Sequence, residues 1–126
     1  QLSLFGCDVT DKGLKKLIAA HPDLINLGLG NSSLTESGLV EILKLNQLQK
    51  LYLGTLPITN SCIKQFKAVK SLEVLFVTWN QIDDRGLEEL SNWPNLKQLG
   101  ITGTDVTAEG VRRFRAKRPD CDLVID

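Results

Sequence analysis

The chain has 126 residues, 42% hydrophobic and 24% charged, which suits one compact domain or a short repeat array and is too apolar for a disordered tail. Its 15 basic and 15 acidic residues cancel, removing any global electrostatic pull toward nucleic acid or an anionic membrane. A single histidine, His21, and three scattered cysteines, Cys7, Cys62 and Cys121, with no C-x-x-C pair, exclude a histidine cluster for zinc and argue against a zinc knuckle.

Leucine supplies 22 of the residues and recurs with a long period, the signature to test before assigning elements singly. In chain order, strands are predicted at Leu2, Leu27, Leu51, Leu75 and Leu99, spaced by 25, 24, 24 and 24 residues. Each of these leucines is followed two positions later by Leu4, Leu29, Leu53, Val77 or Ile101, and the last four are preceded three positions earlier by Leu24, Leu48, Leu72 and Leu96. The unit reads L-x-x-L-x-L. Short helices are predicted in the phrases T-D-K-G-L-K-K-L, T-E-S-G-L-V-E-I, T-N-S-C-I-K-Q-F, D-D-R-G-L-E-E-L and T-A-E-G-V-R-R-F. Thr10, Thr35, Thr59, Asp83 and Thr107 stand at the N-cap, where a side-chain oxygen accepts an orphan backbone N–H. The residues before them, Val9, Leu34, Ile58, Ile82 and Val106, are apolar and staple each helix to a core. The closing R-P-D-C-D-L-V-I-D reads as a sixth short strand in one of two phases. Aligning Cys121 with Leu96 turns Val124 inward, whereas a 24-residue step turns Leu123 and Ile125 inward.

The whole pattern resembles the leucine-rich repeat family, and its V-T-D-x-G-L phrase is similar to bacterial and cysteine-containing repeats. The resemblance implies an α/β fold: a right-handed solenoid of about five 24–25-residue strand–loop–helix coils, its parallel sheet on the concave face. Residues 1–126 then form a single domain with no internal linker. A doubly wound α/β domain would need longer helices. The family places Asn, Cys or Thr five positions after the first strand leucine, where this chain has Cys7, Ser32, Leu56, Asn80 and Thr104. Leu56 departs from that rule, so the third coil is expected to satisfy its loop in another way. A sequence with no Met that opens on Q-L-S-L reads as the C-terminal part of a longer chain.

With strands about 4.8 Å apart, Cys7 and Cys121 are separated by on the order of 20 Å, far beyond the roughly 7 Å a disulfide allows. Three unpaired thiols favour a reducing, cytoplasmic setting. No stretch approaches the ~18 uninterrupted apolar residues of a membrane span.

Residues alternating with the inward leucines project from the concave face. Three of the seven aromatics do so, Phe5, Tyr52 and Phe76, with Trp79 at the rim. Two readings stand side by side: cross-strand packing of an exposed sheet, or an anchor patch for a protein or peptide. On the second reading the partner-binding residues are Phe5, Lys50, Tyr52, Val74, Phe76, Trp79 and Gln98, and the partner's side chains fill gaps at Gly28, Gly30 and Gly100. An alternative site is the basic run Arg112, Arg113, Arg115, Lys117 and Arg118 on the last helix, as an adaptor for nucleic acid. A solvated face trading salt bridges with the acidic Asp83, Asp84, Glu88 and Glu89 explains that run more simply. No catalytic constellation, metal site, cofactor loop or small-molecule substrate is read from the sequence. Asp83 serves as a cap and Asp84 points away from it, so they form no catalytic pair, and the glycines alternate along strands instead of opening a helix.

Overall fold

The computed structural model describes residues 1–125. Six strands, β1 (Leu2–Phe5), β2 (Asn26–Gly30), β3 (Lys50–Gly54), β4 (Val74–Phe76), β5 (Gln98–Gly100) and β6 (Asp122–Val124), lie in sequence order in one sheet. All five pairings are parallel. Helices α1 (Asp11–Ala20), α2 (Glu36–Leu39), α3 (Asn60–Phe66), α4 (Asp84–Leu90) and α5 (Ala108–Lys117) return the chain on the other side. In the second coil α2 tightens into a 3-10 turn at Val40–Lys44.

The register pairs Leu2, Leu27, Leu51, Leu75, Leu99 and Leu123 in one row, so stacked coils bury what no coil could bury alone. Leu27, Leu51, Leu75 and Leu99 are wholly inaccessible, and Leu48, Leu72 and Leu96 are nearly so. The last strand follows the 24-residue step, because Leu99 pairs with Leu123. Leu123 is buried, whereas Ile125 is not.

Thr10, Thr35, Thr59, Asp83 and Thr107 all stand at N-caps in extended conformation. Thr10, Asp83 and Thr107 accept a backbone N–H of their own helix; Thr35 and Thr59 do not. Their hydroxyls instead donate across the coil boundary, Thr35 to Asp11 Oδ2 at 2.5 Å and Thr59 to Glu36 Oε1 at 2.6 Å. The same step recurs with Asn60 Nδ2 donating to Asp83 Oδ1 at 2.6 Å and Thr107 Oγ1 donating to Asp84 Oδ2 at 2.6 Å. The first helical residue of each coil thus holds the cap of the next, forming a polar column along one edge of the helices.

That column explains the glycines two residues further on. A Cβ at Gly38 would collide with the Asp11 carboxyl, at Gly86 with the Asn60 amide and at Gly110 with the Asp84 carboxyl. Coil three breaks the rule with Cys62, and there the residue reaching in from the preceding coil is the longer Glu36, whose Oε1 accepts from the Cys62 thiol at 3.0 Å. Burial, followed by the Glu36 bond, pushes that thiol's pKa up.

The departure at Leu56 is resolved by its neighbour. Leu56 is buried as a core residue, and its backbone N–H donates to Asn80 Oδ1 of the next coil at 2.8 Å. Asn80 Nδ2 donates to the carbonyls of Leu53 at 2.8 Å and Thr78 at 3.0 Å. One buried amide therefore satisfies groups from two loops.

Candidate functional site on the concave sheet

Three rows cross the concave face. One runs Asn26, Lys50, Val74, Gln98 and Asp122; the next runs Ser3, Gly28, Tyr52, Phe76, Gly100 and Val124; the third pairs Phe5 with Gly30 and Gly30 with Gly54. Tyr52 and Phe76 are half-buried neighbours whose rings stack with centroids 5.3 Å apart and planes inclined by 29°. Lys50 is exposed, Val74 is half-buried, and Gln98 Nε2 donates to Asp122 Oδ2 at 3.0 Å.

The glycines do not leave gaps. The Phe5 ring lies over Gly28 and Gly30, where an added Cβ would come within 2.8 and 2.5 Å of it, and Phe76 lies over Gly100. The expectation that a partner's side chains fill these positions is corrected: rings from the preceding strand occupy them, because a large planar side chain beside a bare backbone leans onto it. Phe5 nonetheless remains 50% exposed.

Trp79 stands apart from the other aromatics. It is 64% exposed, its ring rests on Gly103, and its N–H donates to the Thr102 carbonyl at 2.9 Å. Its φ is +58°. The equivalent loop positions Gly6, Asn31, Thr55 and Gly103 are also left-handed, so the coil geometry imposes this conformation at each step. Glycine and asparagine tolerate it; a bulky residue does so at a cost of roughly 1–2 kcal/mol. The 24-residue register that aligns Trp79 with Gly6 and Gly103 was the signal for this column, and sequence reasoning missed it.

The basic run is dispersed by its partners. Arg113 lies 3.6 Å from Asp84 and Lys117 lies 3.3 Å from Glu88, so neighbouring helices do exchange salt bridges. Arg112 pairs within its own helix with Glu109, and Arg115 is exposed. Arg118 requires a correction: it is 92% buried in relative terms, being 8% exposed, so it is no part of a surface patch. Its guanidinium donates to the carbonyls of Trp93 and Leu96 and to Asp120, holding two return loops together. The Arg118 hydrogen bonds in turn keep the Asp120 carboxyl below the usual carboxylate range.

All three cysteines are unpaired. Among the described residues no group of three or more His, Cys, Asp or Glu side chains could hold a metal ion, and no helix is long and apolar enough to cross a membrane.

A family model described as leucine rich repeat matches residues 1–17 and 70–91. No curated protein matches the sequence. Among solved structures, a leucine-rich-repeat protein of Leptospira interrogans is 23% identical with a TM-score of 0.60, over 86% of this chain and 27% of its own. An internalin of Listeria monocytogenes gives 23% identity and a TM-score of 0.58, over 85% of this chain and 36% of its own. Internalin C2 of the same organism gives 20% identity and a TM-score of 0.54, over 99% of this chain and 72% of its own. The chain therefore spans about a quarter to a third of the first two, and the likeness is one of fold. Leucine-rich repeats generally serve as protein-binding scaffolds because stacking curves the sheet into an extended surface. The six-strand parallel sheet in a 24-residue register, the two matched segments and the solved structures together show a leucine-rich-repeat solenoid fold.

Proposed function

We propose that this chain is a non-enzymatic protein-binding module whose partner docks on the concave sheet, over Tyr52 and Phe76, with Trp79 at the rim. Trp79 carries the reading. Cross-strand stacking accounts for the Tyr52–Phe76 pair, but it gives no reason to keep an indole 64% exposed on a left-handed backbone. Strain of this kind persists where function needs the side chain, and burying an indole under a partner is among the most productive contacts an interface makes. The basic helix is the weaker surface, because Arg112, Arg113 and Lys117 already have acidic partners and Arg118 is buried.

The test is to recover partners by affinity capture on the wild-type chain and titrate them against two variants. Tyr52→Ala combined with Phe76→Ala should weaken binding by at least about thirtyfold, the equivalent of about 2 kcal/mol for aromatic anchors. Replacing Arg112 and Arg113 by Ala should change affinity little. Unchanged affinity in the aromatic variant, with its fold intact by circular dichroism, would sink the reading.

A further inference from the structure

Two charged side chains stand in the rows of the concave face, Asp122 and Lys50. At the strand starts Lys97 Nζ sits 3.1 Å from Glu73 Oε1, and Asp122 accepts from Gln98. Lys50 is different: it is exposed and, among the described residues, forms no ion pair. Its lateral neighbours are the uncharged Asn26 and Val74. On the same face of β3, two residues along, stands Tyr52, stacked on Phe76. In an extended chain that separation is about 6.6 Å, and Trp79 stands beyond the end of β4, in the turn that follows Phe76. A free cation and an apolar stack therefore follow one another along the strand direction at the spacing of alternate side chains of an extended peptide, with an exposed indole beyond them at the rim.

Resting on the concave-face reading, we infer that the occupant is a short acidic segment of a protein partner, bound extended along β3 and β4. A carboxylate meets Lys50, an apolar side chain two residues away covers the Tyr52–Phe76 stack, and the following residues pass under Trp79. An unscreened lysine favours a negative group by simple charge complementarity. The same lysine disfavours a basic segment, so it sets specificity as well as attraction.

A phage-displayed library of random 12-residue peptides, panned on the full 126-residue chain, tests this. Wild-type selections should enrich Asp or Glu at a fixed spacing of two from an aromatic or large aliphatic residue. Lys50→Glu should turn the selected sign at that position to Lys or Arg and weaken the wild-type peptides at least tenfold. Raising salt should weaken wild-type binding and have far less effect on Lys50→Ala. Peptides without an acidic preference, the same peptides from Lys50→Glu, or no enriched peptide at all would overturn the acidic segment. Binding lost in the Tyr52→Ala, Phe76→Ala variant but indifferent to Lys50 overturns the acidic segment and leaves the concave-face reading standing. Peptides that bind both variants like wild type overturn the two together.

Discussion

The cap column on the helical side and the aromatic surface on the concave side repeat with the same 24-residue step and obey opposite rules. In the column each side chain has its partner in the next coil: Asp11 with Thr35, Glu36 with Thr59, Asn60 with Asp83, Asp84 with Thr107. Where one member changes, its neighbour changes with it, as Glu36 does with Cys62. On the concave face the step is broken. Large rings occur on β1, β3 and β4 and glycines between them, and the bulkiest exposed side chain, Trp79, occupies a position that is glycine in the first and fifth coils. Regularity of the first kind serves stacking, because every coil meets the same neighbour. Part of the irregularity is packing of another kind, since Phe5 covers Gly28 and Gly30 and Phe76 covers Gly100; the exposed remainder, Trp79 above all, is where the proposed partner would be recognised.

The largest expected effect would break the column. Gly110→Ala places a methyl group in the space filled by the Asp84 carboxyl, and Gly38→Ala does the same against Asp11. Each should cost about 1–3 kcal/mol as overpacking displaces the acid from its threonine. Gly13→Ala is the control: its added Cβ meets only Thr10 Oγ1, at an ordinary 3.4 Å. There the helix should be unharmed or gain up to about 1 kcal/mol from the better helix former. Equal costs at all three positions in urea unfolding would mean that these glycines are set by helix geometry and not by the coil before.

The strands, caps and buried rows were legible in the sequence because each depends on one coil's own period. Leu27, Leu51, Leu75 and Leu99 align by counting, and so do Thr10, Thr35, Thr59, Asp83 and Thr107. What was not legible depends on two coils at once. Thr35 and Thr59 look like ordinary caps until Asp11 and Glu36 are seen reaching them. Arg118 looks like one more surface cation until the carbonyls of Trp93 and Leu96 are seen beneath it. Gly28 and Gly30 look like openings until the Phe5 ring is placed on them. The second phase considered for the last strand is settled in the same way, by Leu99 pairing with Leu123.

A smaller effect sharpens the other side of the comparison. Trp79→Gly removes a bulky residue from a left-handed position that glycine adopts freely, while giving up contacts of a ring that is mostly in solvent. The strain relieved and the packing and chain entropy lost are each of order 1 kcal/mol, so stability should stay within about 0.5–1 kcal/mol of wild type. Partner binding should fall by tenfold or more. A protein strongly destabilised by Trp79→Gly would show that the indole is a structural cover for Gly103, and the contrast between the two surfaces would lose its sharpest case.

The smallest effect concerns protons. Hydrogen bonds from Cys62 and Thr59 hold the Glu36 carboxyl below its ordinary range, the Asn60 amide does so for Asp83, and Thr107 does so for Asp84, with Arg113 adding to the last and the Asp83 charge opposing it. A carboxyl whose folded pKa lies below its unfolded one stabilises the fold fully above the unfolded value and loses that contribution as pH falls through the folded one. Unfolding midpoints should therefore be level near neutrality and decline from about pH 5 downward, through and below the usual carboxylate range. Asn60 makes the corresponding pair of bonds with a group that does not titrate, its Oδ1 accepting the Asp83 N–H at 3.3 Å and its Nδ2 donating to the Asp83 carboxylate, which supplies the design of the control. In Asp84→Asn the amide Oδ1 can still accept from the Thr107 N–H while Nδ2 donates to the Thr107 hydroxyl oxygen, but no proton is taken up, so the variant should lose a little stability at pH 7 and show a shallower acid decline. Parallel declines in Asp84→Asn and wild type would mean that the column's charge contributes nothing, and that its hydrogen bonds alone hold each coil to the next.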